Sequence, residues 1–83
     1  MNTFRFKKEL ENALKEIDGI SFSVNHEKTM EGVVYEIDFN YNKFNSVEDD
    51  WSNKVDDVLK GLYSEWGGSF YWEDNVIYYS LAE

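Results

Sequence analysis

The stretch Ser46–Gly68, SVEDDWSNKVDDVLKGLYSEWGG, decides how the rest of the chain is read. Val47, Trp51, Val55, Val58, Leu59, Leu62 and Trp66 recur at the spacing of one helical face. Ser46 serves as the cap, and Glu48, Asp49 and Asp50 occupy the first turn, where the helix dipole favours negative charge. Gly67 and Gly68 stop the helix. Such a stripe must be buried against something, and the flanking sequence supplies it. Downstream, Ser69–Glu73 and Val76–Leu81 read as two aromatic strands around a tight Asp74-Asn75 turn. Upstream, Val33, Tyr35, Ile37, Phe39 and Tyr41 alternate with Val34, Glu36, Asp38 and Asn40, the period of a half-buried strand. Ile20–Val24 alternates in the same way, and Asn25–Gly32 reads as a polar connection, completing a first hairpin. Earlier still, Phe6, Leu10, Ala13, Leu14 and Ile17 share one helical face, between a cap at Thr3 and a left-handed stop at Gly19.

The order is therefore α-β-β-α-β-β. The simplest way to bury both stripes is an α+β fold with two helices packed on one face of a four-stranded antiparallel sheet. In that arrangement Phe22, Tyr35, Ile37, Phe39, Phe70, Trp72, Ile77 and Tyr79 face the helices. Ser21, Ser23, Val34, Glu36, Asp38, Tyr71 and Tyr78 face outward. Gly19-Ile20-Ser21-Phe22 faintly echoes Gly68-Ser69-Phe70, but so short an echo leaves two independent hairpins as the expectation. With 83 residues, the chain 1–83 is read as one domain. A core this small depends on large side chains, and six Phe, six Tyr and three Trp provide them.

The formal charge is −9, and it is unevenly placed. Residues 1–30 balance Arg5, Lys7, Lys8, Lys15 and Lys28 against Glu9, Glu11, Glu16, Asp18 and Glu27. From residue 31 onward only Lys43, Lys54 and Lys60 oppose the remaining acids. The field repels phosphate backbones and membrane surfaces and attracts basic proteins. Direct nucleic-acid or membrane binding is not expected. The absence of Cys suits a reducing cytoplasm, and the N-terminus lacks the apolar run of a signal peptide, so the expected location is cytoplasmic.

Enzymatic chemistry finds no foothold in the sequence. His26 stands alone in a polar segment, no Ser lies in a nucleophile-elbow context, and the glycines form no phosphate-cradling loop. The carboxylate pairs at Glu48-Asp49-Asp50, Asp56-Asp57 and Glu73-Asp74 lack the spacing of a calcium loop. The reading is a non-enzyme with no cofactor and no metal.

Two surfaces invite a partner instead. On the second helix, Asp49, Asp50, Asp56 and Asp57 fall opposite the apolar stripe, with Glu48 at their head, and could imitate a short run of backbone phosphate. On the outer sheet face, Glu36 and Asp38 stand with Tyr71 and Tyr78, and Tyr beside carboxylates suits a protein interface. A solvated, solubilising surface explains the same charges, and Tyr71 and Tyr78 equally suit self-association.

In size, in lacking Cys and Pro, and in acid clusters such as Glu48-Asp49-Asp50 and Asp56-Asp57, the chain resembles the small acidic inhibitors of phages and mobile elements. These include anti-CRISPR proteins, uracil-DNA glycosylase inhibitors and anti-restriction DNA mimics. The resemblance is one of general character and carries over no residue position. It implies an inhibitor that occupies the basic groove of a nucleic-acid-binding protein, such as a CRISPR effector or another nuclease. An immunity protein that neutralises a toxin, and a self-associating regulatory or structural protein, are the alternatives; monomer and homodimer both remain open.

Overall fold

The computed structural model of the chain describes residues 3–17, 20–39 and 50–82. Helix α1 spans Thr3–Lys15, strand β1 Phe22–Thr29, strand β2 Gly32–Phe39, helix α2 Asp50–Trp66, strand β3 Ser69–Glu73 and strand β4 Val76–Ala82. The architecture is the expected α+β order, with a four-stranded sheet arranged β1-β2-β4-β3 and every neighbouring pair antiparallel. The caps expected at Gly19 and Ser46, and the positions Asn40, Tyr41 and Val47, lie outside the described residues.

One core holds the layers together. Phe6, Leu10 and Leu14 of α1 and Val55, Leu59 and Leu62 of α2 are buried with Val33, Tyr35, Ile37, Phe39, Ile77, Tyr79 and Leu81 of the central strands. Phe6 is its pivot, with its ring centroid 5.0 Å from Tyr35, 4.9 Å from Tyr79 and 5.5 Å from Trp66. Every buried apolar strand residue lies on the helix-facing side, Val33 and Leu81 joining those expected there, because side chains alternate between the two faces.

Polar ties anchor the ends of this core. The Trp66 indole donates to Glu9 Oε1 at 3.1 Å, while Arg5 pairs with the same carboxylate and lies over the Trp66 ring. The Tyr79 hydroxyl donates to the Gly67 carbonyl. Burial, and secondarily the nearby Tyr63, pushes that phenol up to about 12. Asn75, in the β3–β4 turn, donates its side-chain amide to the Phe39 carbonyl, and its own carbonyl accepts from Phe39 N at 3.0 Å. This pair of bonds carries the β2–β4 ladder one step past the strand.

The polar connection expected over Asn25–Gly32 is corrected. β1 runs on to Thr29, and its register with β2 is unbroken from Phe22↔Phe39 to Thr29↔Gly32, closing at the two-residue turn Met30-Glu31. Thr29 makes so short a turn possible, since its hydroxyl accepts from the N–H groups of Glu31 and Gly32. These strand residues are polar because the sheet margin is uncovered. His26 and Lys28 lie on the helix-facing side and are still exposed.

The two hairpins share one register plan. A shift along the chain that carries Tyr35 onto its partner Tyr79 also carries the pair Thr29↔Gly32 onto Glu73↔Val76, and Asn25↔Glu36 onto Ser69↔Ser80. They are related, register for register, by a pseudo-two-fold through the middle of β2 and β4. The matched positions differ from those of the Gly-Ile-Ser-Phe echo, which lies in another alignment.

Candidate interaction face

The side of the sheet away from the helices is built in rungs, because directly paired residues of antiparallel strands share a face. One rung reads Ser23–Asp38–Val76–Glu73 across β1, β2, β4 and β3. The next reads Asn25–Glu36–Tyr78–Tyr71, and the third Glu27–Val34–Ser80–Ser69. Strands lie ~4.8 Å apart and alternate residues of one strand ~6.7 Å apart, so these positions form one continuous patch. Four carboxylates stand on it, those of Glu27, Glu36, Asp38 and Glu73, and no Lys, Arg or His occurs in any of the three rungs.

At its centre the Tyr71 and Tyr78 rings stack, with centroids 5.3 Å apart and planes 28° from parallel. Tyr71 is 58% exposed. Tyr78 stands directly opposite Glu36 across the β2–β4 pairing. Desolvation against its neighbours holds the Tyr78 phenol above its ordinary range, and the charges of Glu36 and Glu73 push it the same way. Tyr78 therefore stays protonated through the physiological range. Beside it lies an open depression of about 290 Å³ lined by Asn25, His26, Glu27, Val34, Glu36 and Tyr78, with room for a partner side chain.

The acids of α2 are arranged otherwise. Glu48 and Asp49 lie outside the described residues, and Asp50 is described only as the first residue of α2. Asp56 is half-buried: it accepts from the Trp72 indole at 3.4 Å and pairs with Lys60 at 3.1 Å. The hydrogen bond from Lys60, and to a smaller extent that from Trp72, holds its carboxyl below the usual carboxylate range. Asp57, one residue on, is exposed. The tie to Trp72 places α2 over the β3 margin on the helix-covered side, so Asp57 and the outer sheet face lie on opposite sides of the molecule.

The structure thus brings four of the residues singled out in the sequence, Glu36, Asp38, Tyr71 and Tyr78, into one patch, and it adds Glu27 and Glu73. Glu27 carried no strand signal because its neighbours are polar throughout. Glu73 read as one of an acidic pair beside a turn, although the alternation Ser69, Tyr71, Glu73 already placed it with the tyrosine. Among the described residues, no group of three or more His, Asp or Glu is gathered closely enough to hold a metal ion, and no helix is long and apolar enough to cross a membrane.

Fold and face together define a small two-layer α+β domain that presents one acidic, aromatic-centred sheet surface. No protein-family model, curated protein or solved structure matches the chain.

Proposed function

We propose that this protein is an acidic binding module that inhibits a nucleic-acid-binding enzyme by covering its basic groove with the outer face of the sheet. The observation that carries the reading is the face itself: Glu27, Glu36, Asp38 and Glu73 surround the tyrosine stack, and no Lys, Arg or His shares their three rungs. An ordinary solvated sheet face mixes charge signs, because cross-strand opposite pairs stabilise it and like charges do not. Here the mixing is absent where the aromatic anchors stand. Tyrosine supplies contact area at low entropic cost, and surrounding carboxylates steer a basic target and fix its orientation. Self-association through the same tyrosines is disfavoured, since it would press carboxylates against carboxylates. Catalysis plays no part in this reading; the protein acts by occupancy.

The test is affinity capture by the tagged protein and by its Glu36→Lys/Asp38→Lys variant, at low and moderate salt, with and without competing DNA. The reading expects a nucleic-acid enzyme that the parent retains, that DNA and salt release, and that the variant does not hold. Retention that ignores both DNA and the charge reversal would sink it. A captured partner with no affinity for nucleic acid would move the protein to the immunity type.

A further inference from the structure

We propose that two copies of this chain pair antiparallel along β1, about a two-fold axis at Asn25, so that one sheet runs through both. The inference begins with the direction of backbone groups. Phe39 turns its N–H and C=O toward Asn75, on the β4 side. Backbone groups of successive residues point to alternate sides of an antiparallel strand. Asp38, Glu36 and Val34 therefore face β1 and bond Ser23, Asn25 and Glu27, their register partners. The intervening residues Phe22, Val24 and His26 turn their N–H and C=O groups to the far side of β1. Among the described residues no strand pairs there, since β1 ends the sheet.

β1 is long for an edge. It has eight residues, no Pro, and an uninterrupted register without a bulge, so several of the usual guards against strand addition are missing. The opposite edge, β3, has five.

Charge selects a second copy as the occupant. A molecule of charge −9 repels itself at most approaches, and most strongly through its outer face and the acids of its second half. The segment 1–30 that contains β1 is neutral, and within β1 Glu27 is offset by Lys28. With Asn25 opposite Asn25 of the second copy, Val24 meets His26, Ser23 meets Glu27 and Phe22 meets Lys28, and no like charges stand opposite each other. The same register puts outward-turned backbone groups against outward-turned backbone groups and keeps each outer face on the same side. The half-exposed Phe22 and Val24 gain cover. The resulting surface carries the acidic patch twice, on one continuous sheet. A single strand pair is a small interface, at the low end of the size range for specific association, so the dimer is weak and concentration-dependent.

Sedimentation velocity of the full chain, alone, from low micromolar to near-millimolar concentration, tests this without any partner, so its failure is separate from failure of the inhibitor reading. The weight-average mass is expected to climb from 9.9 kDa toward twice that value. His26→Pro removes an N–H that points away from β2 and is expected to hold the chain monomeric at all concentrations. Asn25→Asp, isosteric and exposed, keeps every backbone bond, places two carboxylates across the axis, and is expected to weaken the dimer by up to about fivefold. A chain that stays monomeric throughout overturns the proposal. So does a dimer that Asn25→Asp leaves unchanged, whether or not His26→Pro folds.

Discussion

Asp56→Ala separates the two acidic surfaces, because it removes an acid that the structure uses for folding. In the parent, Asp56 Oδ1 accepts from the Trp72 indole at 3.4 Å and Oδ2 pairs with Lys60 at 3.1 Å. The indole bond ties α2 to β3 with a charged acceptor but is long, so its loss costs about 1 kcal/mol, below the ~1.5–3 kcal/mol of well-formed bonds to charged groups. The exposed i,i+4 pair with Lys60 adds little to that. For a domain of this size, about 1 kcal/mol lowers the melting midpoint by roughly 4–8 °C. The assay is thermal unfolding by circular dichroism at neutral pH and again in acid. Because the folded-state pKa of Asp56 is depressed, its contribution is present above the ordinary carboxylate pKa and disappears as pH falls through the folded value. The gap between parent and variant should therefore close in strong acid. Partner retention by the variant should match the parent's. Equal melting at neutral pH would refute the tie to Trp72. Lost retention with an unchanged melt would move the interface from the sheet to α2.

Glu36→Lys/Asp38→Lys is the mirror case: retention should be lost while the melting midpoint stays within the ~0.5 kcal/mol expected of surface substitutions, and a collapsed fold would remove it as a test of binding. The adjacent glycines after α2 should differ sharply. Gly67 and Gly68 have φ of 82° and 88°, but a Cβ at Gly67 meets open space, whereas one at Gly68 lies 2.4 Å from the Ser80 carbonyl oxygen. Urea unfolding should show about 1–2 kcal/mol lost in Gly67→Ala from left-handed strain alone, and more than about 3 kcal/mol in Gly68→Ala, where backbone must move; equal losses would contradict the close approach to β4. Alkaline titration should follow Tyr79. Its folded pKa of about 12 lies above the ordinary value of 10.0, so its stabilising contribution is complete below pH 10 and is lost as pH rises toward 12. Tyr79→Phe should flatten that part of the stability curve.

The fold was legible wherever one side of an element is covered. Phe6, Leu10 and Leu14 on α1, Val55, Leu59 and Leu62 on α2, and the alternation through β2 and β4 all write their burial into the spacing of apolar residues. The outer half of β1 was illegible for the converse reason. Neither described helix covers His26 or Lys28, so no apolar period marks Asn25–Thr29 as a strand. Strand order was invisible because it rests on pairing between β2 and β4, set by contacts far apart in sequence. The candidate face divides in the same way. Glu36, Asp38, Tyr71 and Tyr78 follow from alternation within single strands, and that they form one patch follows only from the β2–β4 pairing. The engagement of Asp56 required knowing that β3 lies under α2, which no local pattern states.

The pseudo-two-fold bears on whether the outer face reflects folding or function. Matched through the symmetry, the helix-facing positions of the central strands keep their character: Val33 with Ile77, Tyr35 with Tyr79, Ile37 with Leu81. Both halves meet the same demand there, a close-packed core beneath two helices. The outward positions diverge. Val34 corresponds to Tyr78, Glu36 to Ser80, Asp38 to Ala82 and Glu27 to Tyr71. Ser80 and Ala82 stand where Glu36 and Asp38 stand in the other half, so the scaffold requires no carboxylate at those places. Nor does it require a tyrosine at Val34 or Glu27. The chain has gathered its acids on β1, β2 and the end of β3, and its tyrosines where β3 meets β4, an asymmetry that the shared fold does not dictate. A packing demand would have acted on both halves alike. A single bound partner, meeting each half with a different part of its own surface, would not.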